Sequence, residues 1–336
     1  MRIHRNAVAH GIAGLLASLS VAGRAQAQAQ EQGWTVRIEA MRVSPRGHDP
    51  HVLTIHEVDL DTQDDRKSAV TLDTRSSIGY RAMVQYTRSA WTWGATFFWL
   101  DTSQTTPNLT AAAGGTIDEA SFEIADRRFT SSDPGEVLFY RVLEDTDINP
   151  WTLDLYGTRT LIETAAARLA LQLGVRFGDF DNDYRAAVGI ENAGGTRLDA
   201  SSNYPRMTGP LAGLTGTVQV GPSAIDGYLG HSVILGEVEL DGSARDFTGP
   251  FSESVPFFAR ETLHTTQDIA IPITEARINW SVRLIDHLSL GAGVHASTWW
   301  DVPVPPGVIP IQDGDESLHE NTIVLLAILG GLEIRF

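Results

Sequence analysis

The 336-residue chain has no cysteine, so nothing in it rests on a disulfide framework. It also lacks a long apolar run beyond its first residues. The longest, Ile323–Leu332, is half of the roughly 20 residues that a transmembrane helix requires. A helical span is excluded, and any crossing of a bilayer falls to strands. Basic residues are in deficit as well: 25 Lys and Arg stand against 42 Asp and Glu, a formal charge of −17. A chain this acidic repels nucleic acid, so phosphate-backbone binding is excluded as a function class.

What is present begins with Arg2, His4 and Arg5, an apolar stretch from Ala7 to Ala22, and two small-residue cleavage options, Ala25-Gln26-Ala27 and Ala27-Gln28-Ala29. That order is the order of a secretory signal peptide. The stretch is short for a membrane anchor and is interrupted by His10. Cleavage is expected to remove residues 1–27, with three arginines and no acid, taking the formal charge from −17 to −20. Residues 28–336 then form one unit.

From Trp34 onward, period-two alternation appears and disappears. Runs at Trp34–Val43, Ser77–Tyr86, Trp91–Leu100, Pro150–Arg159, Ala167–Asp179, Met207–Val220, Ala224–Glu237, Ile269–Leu284, Leu288–Trp299 and Asn321–Phe336 read as ten strands. Their connections alternate strictly between long polar stretches and short turns. That sorting is the plan of an all-β transmembrane antiparallel β-barrel, with long loops outside and short turns and both termini on the periplasmic side. A further hairpin in Asp101–Asn149, pairing Phe122–Phe129 with Val137–Val142, would make twelve strands. All eight tryptophans (Trp34, Trp91, Trp93, Trp99, Trp151, Trp280, Trp299 and Trp300) fall near strand ends, where barrels carry aromatic girdles. The last strand ends on Phe336, placed to serve as the signal read by barrel-assembly machinery. In that strand the register from Val324 to Phe336 is apolar, and the other register carries Glu333 and Arg335. The expected location is the bacterial outer membrane.

The register opposite the apolar one carries mixed charges: Arg37, Glu39, Arg81, Asp154, Arg168, Arg176, Glu275, Arg277, Glu333 and Arg335. These are the candidate pore-lining residues, and they predict a lumen that holds water or an ion-paired plug. Ten strands leave a narrow bore.

Over half of the chain resembles the pore-forming outer-membrane proteins of the Legionella major-outer-membrane-protein type. The resemblance is carried by WTLDLYGTRTLIET (Trp151–Thr164), GVRFGDFDNDYRAAVG (Gly174–Gly189), GPLAGL (Gly209–Leu214), SVILGEVEL and RDFTGP (between Ser232 and Pro250), STWWDVPVPPGV (Ser297–Val308) and the C-terminal ENTIVLLAILGGLEIRF. Its Trp-Trp-Asp-Val-Pro segment is the most specific piece. The resemblance implies a general pore and supplies no catalytic residues.

Other constellations point less far. His295 and Ser297 share a strand face, the pairing that barrel-embedded lipid A deacylases use, but no orienting carboxylate is evident in sequence. Glu57 with His56, or Glu320 with His319, would be needed for an omptin-like protease rim. Asp179, Asp181 and Asp183 alternate like calcium ligands, yet Tyr184 and Ile190 stand where an EF-hand loop needs Gly and Glu. They read as an acidic loop open to divalent cations. Gly291-Ala292-Gly293-Val294-His295-Ala296 matches a dinucleotide motif without the helix that must follow it, so no cofactor is expected, and the glycines read as relief of crowding. The leading expectation is a non-enzymatic, porin-like passive channel in contact with outer-membrane lipid and lipopolysaccharide. The alternatives are a structural or lipopolysaccharide-binding barrel without conductance, and a lipid A hydrolase.

Overall fold

Alternation across a pleated strand closes this chain on itself. The structure, a computed structural model, describes residues 32–46, 51–59, 64–71, 76–112, 119–124, 127–131, 139–164, 166–190, 194–247, 257–303 and 320–336. The expected signal peptide lies outside them. Among the described residues the strands are β1 (Gln32–Arg46), β2 (His51–Asp59), β3 (Asp64–Thr71), β4 (Ser77–Arg88), β5 (Trp91–Ala112), β6 (Glu119–Ile124), β7 (Arg127–Ser131), β8 (Phe139–Glu163), β9 (Ala167–Ile190), β10 (Gly194–Val220), β11 (Ser223–Phe247), β12 (Phe257–Ile285), β13 (Leu288–Pro303) and β14 (Glu320–Arg335).

Ten of these form a closed antiparallel barrel in the order β1-β14-β13-β12-β11-β10-β9-β8-β5-β4. The seam joins the first and last strands, pairing Arg37 with Glu333 and Ile38 with Leu332. Phe336 finishes it by exchanging backbone bonds with Trp34, at 2.9 and 3.2 Å. The twelve-strand alternative does not occur. Of the residues that suggested it, Phe122–Phe129 falls in β6 and β7 and Phe139–Val142 opens barrel strand β8; β6 pairs with β7 and with β2 in a separate four-stranded sheet of order β3-β2-β6-β7. That sheet is drawn from the two long connections β1–β4 and β5–β8.

At the other end the turns are short. Gly221-Pro222 joins β10 to β11, with Gly221 at φ +61°, a value that its missing Cβ makes accessible and that two-residue hairpin turns of the primed kind require.

The strands outrun the sequence expectation. β12 has 29 residues and β10 has 27, where about 9–11 cross a bilayer. The cause is a polarity inversion along each long strand. Near the turns of β11, Asp226 points inward and Ile225 and Leu229 point outward. Farther along, Ile234, Val238 and Leu240 point inward, while Glu237, Glu239 and Asp241 point outward. The outward stretch from Ile225 to Leu235, apolar except for His231, rises roughly 25 Å on a tilted strand, the height of a bilayer's apolar core. Beyond it the wall continues into water and its two faces trade polarity. Alternation persists with opposite sign, so a reading that follows lipid-facing residues ends the strand too early.

The same inversion places the aspartates. Asp179, Asp181 and Asp183 belong to β9 rather than to a loop, just beyond the outward-facing Leu173, Val175 and Phe177.

Candidate functional site: a layered lumen

All ten charged residues expected to face the lumen lie on the inward register. Depth divides the lumen into three layers, and the middle one is ionic. Arg176 on β9 donates from Nε to Asp154 Oδ1 at 2.6 Å and from Nη2 to Asp154 Oδ2 at 2.8 Å, and it also bonds Glu275 on β12 and Ser232 on β11. His295 on β13 meets the same Glu275 at 3.6 Å and lies edge-on to Phe98. Arg81 on β4 donates to Glu39 on β1 at 2.5 Å. Arg37 on β1 bonds Glu333 on β14 and reaches across the lumen to Asp226 on β11 at 3.0 Å. Tyr156 accepts from Gln85 at 3.0 Å and packs against Gly94, where a Cβ would stand 2.7 Å from its ring. Gly293 has a comparable role on β13: an added Cβ would run into the Ile278 carbonyl oxygen and stand 2.9 Å from the Asn279 side-chain amide. The glycines of the discarded dinucleotide motif thus relieve crowding.

Toward the long-loop side the lumen becomes apolar. Met41 and Val43 (β1), Leu100 (β5), Ile148 (β8), Phe180 (β9), Tyr204 and Met207 (β10), Ile234, Val238 and Leu240 (β11), Ile271 and Ile273 (β12), Trp299 and Val302 (β13), and Ile323, Leu325, Ala327 and Leu329 (β14) form one cluster. Nine of the ten barrel strands contribute. Phe180 touches Tyr204 edge-on at 5.1 Å and Trp299 at 5.8 Å between ring centres. Leu100, Tyr204, Met207, Ile234, Val238, Leu240, Ile271 and Ile273 are 0% exposed. A water-filled passage would leave its lining wet, and this lining is dry.

Toward the turns the lumen opens into a vestibule of about 610 Å³, bordered by Arg37, Arg168, Arg277, Asp226, Glu333, Arg335 and several threonines. Beside Arg81, Asp154, Arg176 and Glu275 the cavity narrows to about 60 Å³. Arg168 donates to Thr160 Oγ1 through Nε at 2.9 Å and Nη2 at 2.6 Å. Arg335, at the mouth, donates to Glu333 at 2.8 Å.

The sequence-predicted lining therefore splits. Arg37, Glu39, Arg81, Asp154, Arg176, Glu275 and Glu333 are brought together as ion pairs, of which Arg37 with Glu333 also borders the vestibule. Arg168, Arg277 and Arg335 face the vestibule. Sequence reasoning missed Asp226, although Tyr228, Gly230 and Ser232 share its parity opposite Ile225 and Leu229. It also missed Glu275 as the carboxylate of His295.

The deacylase-like pair is redirected: His295 and Ser297 face the lumen, and Ser297 Oγ accepts from Trp299 Nε1 at 2.8 Å. Trp299 itself leaves the expected girdle, being 3% exposed inside the barrel. The rest of the girdle includes Trp91 stacked on Trp93 at 5.8 Å and Tyr80 on Trp99 at 5.9 Å. Of the omptin-like candidates, His56 and Glu57 fall on β2 in the separate sheet, Glu320 opens β14, and His319 lies outside the described residues. Among the described residues no group of three His, Cys, Asp or Glu side chains is placed to hold a metal ion.

No family model and no curated protein matches the chain. Solved structures do. It is similar to the outer membrane protease OmpT from Escherichia coli, with 13% identity over 92% of this chain and 99% of that one and a TM-score of 0.50. Weaker likenesses are to Ail, the attachment invasion locus protein of Yersinia pestis (8% identity, 91% and 100% covered, TM-score 0.27), and to Neisserial surface protein A (7%, 92% and 100%, TM-score 0.26). The likeness to the protease is one of fold alone. The chain has the closed barrel fold of bacterial outer-membrane proteins.

Proposed function

We propose that the chain is a non-conducting outer-membrane barrel, a structural scaffold that carries tall walls and long connections at the cell surface. One observation carries this reading: the dry apolar layer to which nine of the ten strands contribute. It favours the sealed barrel over the porin-like passive channel for small solutes or ions, because the ten charged residues either neutralise one another beneath the seal or face a vestibule that ends at it. The reading assigns no catalysis to the chain. Planar-bilayer recording of the refolded protein tests it, and a trace without discrete conductance steps is the expected result.

Three further parts belong to the proposal. Residues 1–27 are a cleaved signal peptide that delivers the chain to the outer membrane. Phe336, exposed at the end of the closing strand, is the contact read by assembly machinery. The outward carboxylates beyond the lipid-facing band, Asp181, Asp183, Glu237, Glu239 and Asp241, stand where lipopolysaccharide headgroups lie, and like charges there are bridged through divalent cations rather than by direct contact.

A further inference from the structure

The arginines of the lumen are unevenly compensated. Arg37, Arg81, Arg176 and Arg335 each have a carboxylate within ion-pair distance. Among the described residues Arg277 and Arg168 have none. Arg168 is held only by the Thr160 hydroxyl. Arg277 lies over the Tyr228 ring, 5.5 Å from its centre, and its buried Nε has no hydrogen-bond partner. Glu39 shares its field but is already bonded to Arg81 and also faces Arg37. Arg277 and Arg168 border the same vestibule. The carboxylates there are committed or peripheral: Asp226 and Glu333 already accept from Arg37, and Glu163 is exposed at the rim.

A cation held inside a membrane-spanning wall without a counter-charge is costly, and a bound anion removes that cost. Guanidinium forks match the oxygen geometry of oxyanions. We propose that the turn-side, periplasm-facing vestibule is a binding site for a phosphate-class oxyanion, with Arg277 and Arg168 as its cationic ligands. Its volume of about 610 Å³ admits the anion alone or an ester on a small polar molecule. The proposal rests on the sealed lumen above in one respect, that the anion is held rather than conducted.

Calorimetric titration of the refolded full chain in detergent micelles tests it. The probes are sodium phosphate and glycerol phosphate at constant ionic strength, with sodium chloride as the reference. The expected result is saturable binding of one or both phosphate probes, weakened roughly tenfold or more in Arg277→Gln and in Arg168→Gln. The exposed, loop-side Arg42→Gln should bind as the unaltered protein does. Tighter binding of inorganic phosphate assigns the free ion, and tighter binding of glycerol phosphate assigns an ester. If Arg277→Gln fails to fold, as read by heat-dependent gel mobility, the half-buried Arg168→Gln decides the matter. Absence of saturable binding by either probe, or unchanged affinity in Arg168→Gln, overturns the site. A conductance recording bears on the sealed lumen and leaves this titration independent.

Discussion

Arg176 grips Asp154 on the neighbouring strand through two parallel bonds, 2.6 and 2.8 Å long, with only 2% of the arginine side chain exposed. The pair sits at the centre of the barrel and also ties β9 to β12 through Glu275. Removing the arginine strands both Asp154 and Glu275 in a dry environment, whereas removing Asp154 leaves Arg176 paired with Glu275. Arg176→Met is expected to lower stability by about 3–5 kcal/mol, whereas Arg176→Met combined with Asp154→Asn recovers part of that loss. Urea unfolding in a fixed detergent or lipid checks both. Equal stability of the single variant and the unaltered protein would contradict the ion-paired layer.

The lumen-facing hydroxyl of Ser297 serves as an acceptor for the Trp299 indole, not as a nucleophile facing lipid. Ser297→Ala should therefore cost about 1–3 kcal/mol, the penalty of a buried donor left unpaired. Mass spectrometry of lipid A from cells carrying the altered or unaltered gene should show identical acylation. A change in acylation that depends on Ser297 would restore the hydrolase reading.

Polarity inversion makes the two halves of the outer wall respond oppositely to charge. Ile328, 69% exposed within the apolar band, is expected to cost about 2–4 kcal/mol as Ile328→Arg. On β11 above the band, Glu237→Arg should lie within about 0.5 kcal/mol of the unaltered protein. Similar costs at the two positions would mean that the membrane band is misplaced.

Phe336 both ends the closing strand and bonds Trp34 through its backbone. Deleting it should reduce assembly in cells sharply and leave refolding in detergent largely intact, as read by heat-dependent gel mobility of membrane and refolded samples. Undiminished assembly would remove it as the recognition contact.

How much of this was legible beforehand follows from the same inversion. Where water or ions fill the inside and lipid covers the outside, alternation is plain, and the ten strands, their order and the inward register of Arg37 or Glu333 could be read directly. In the outer reach of β9, Asp181 and Asp183 face water while Phe180 faces the lumen, so the stretch looks like a polar loop. The apolar layer was hidden for a related reason. Ile323 and Leu325 share a register with Glu333, so a single inward register runs from a dry apolar end to a charged end and has no uniform polarity. Which arginine pairs with which acid depends on closure across the lumen, as Arg37 with Asp226 shows, and no local spacing carries that information.

The central claim is that the apolar layer around Phe180, Tyr204 and Trp299 seals the barrel. Single-channel recording in planar bilayers, on protein shown to be folded by gel mobility, tests it most directly. The account predicts a silent trace across the applied voltage range. Reproducible unitary conductance steps from the unaltered protein would contradict it.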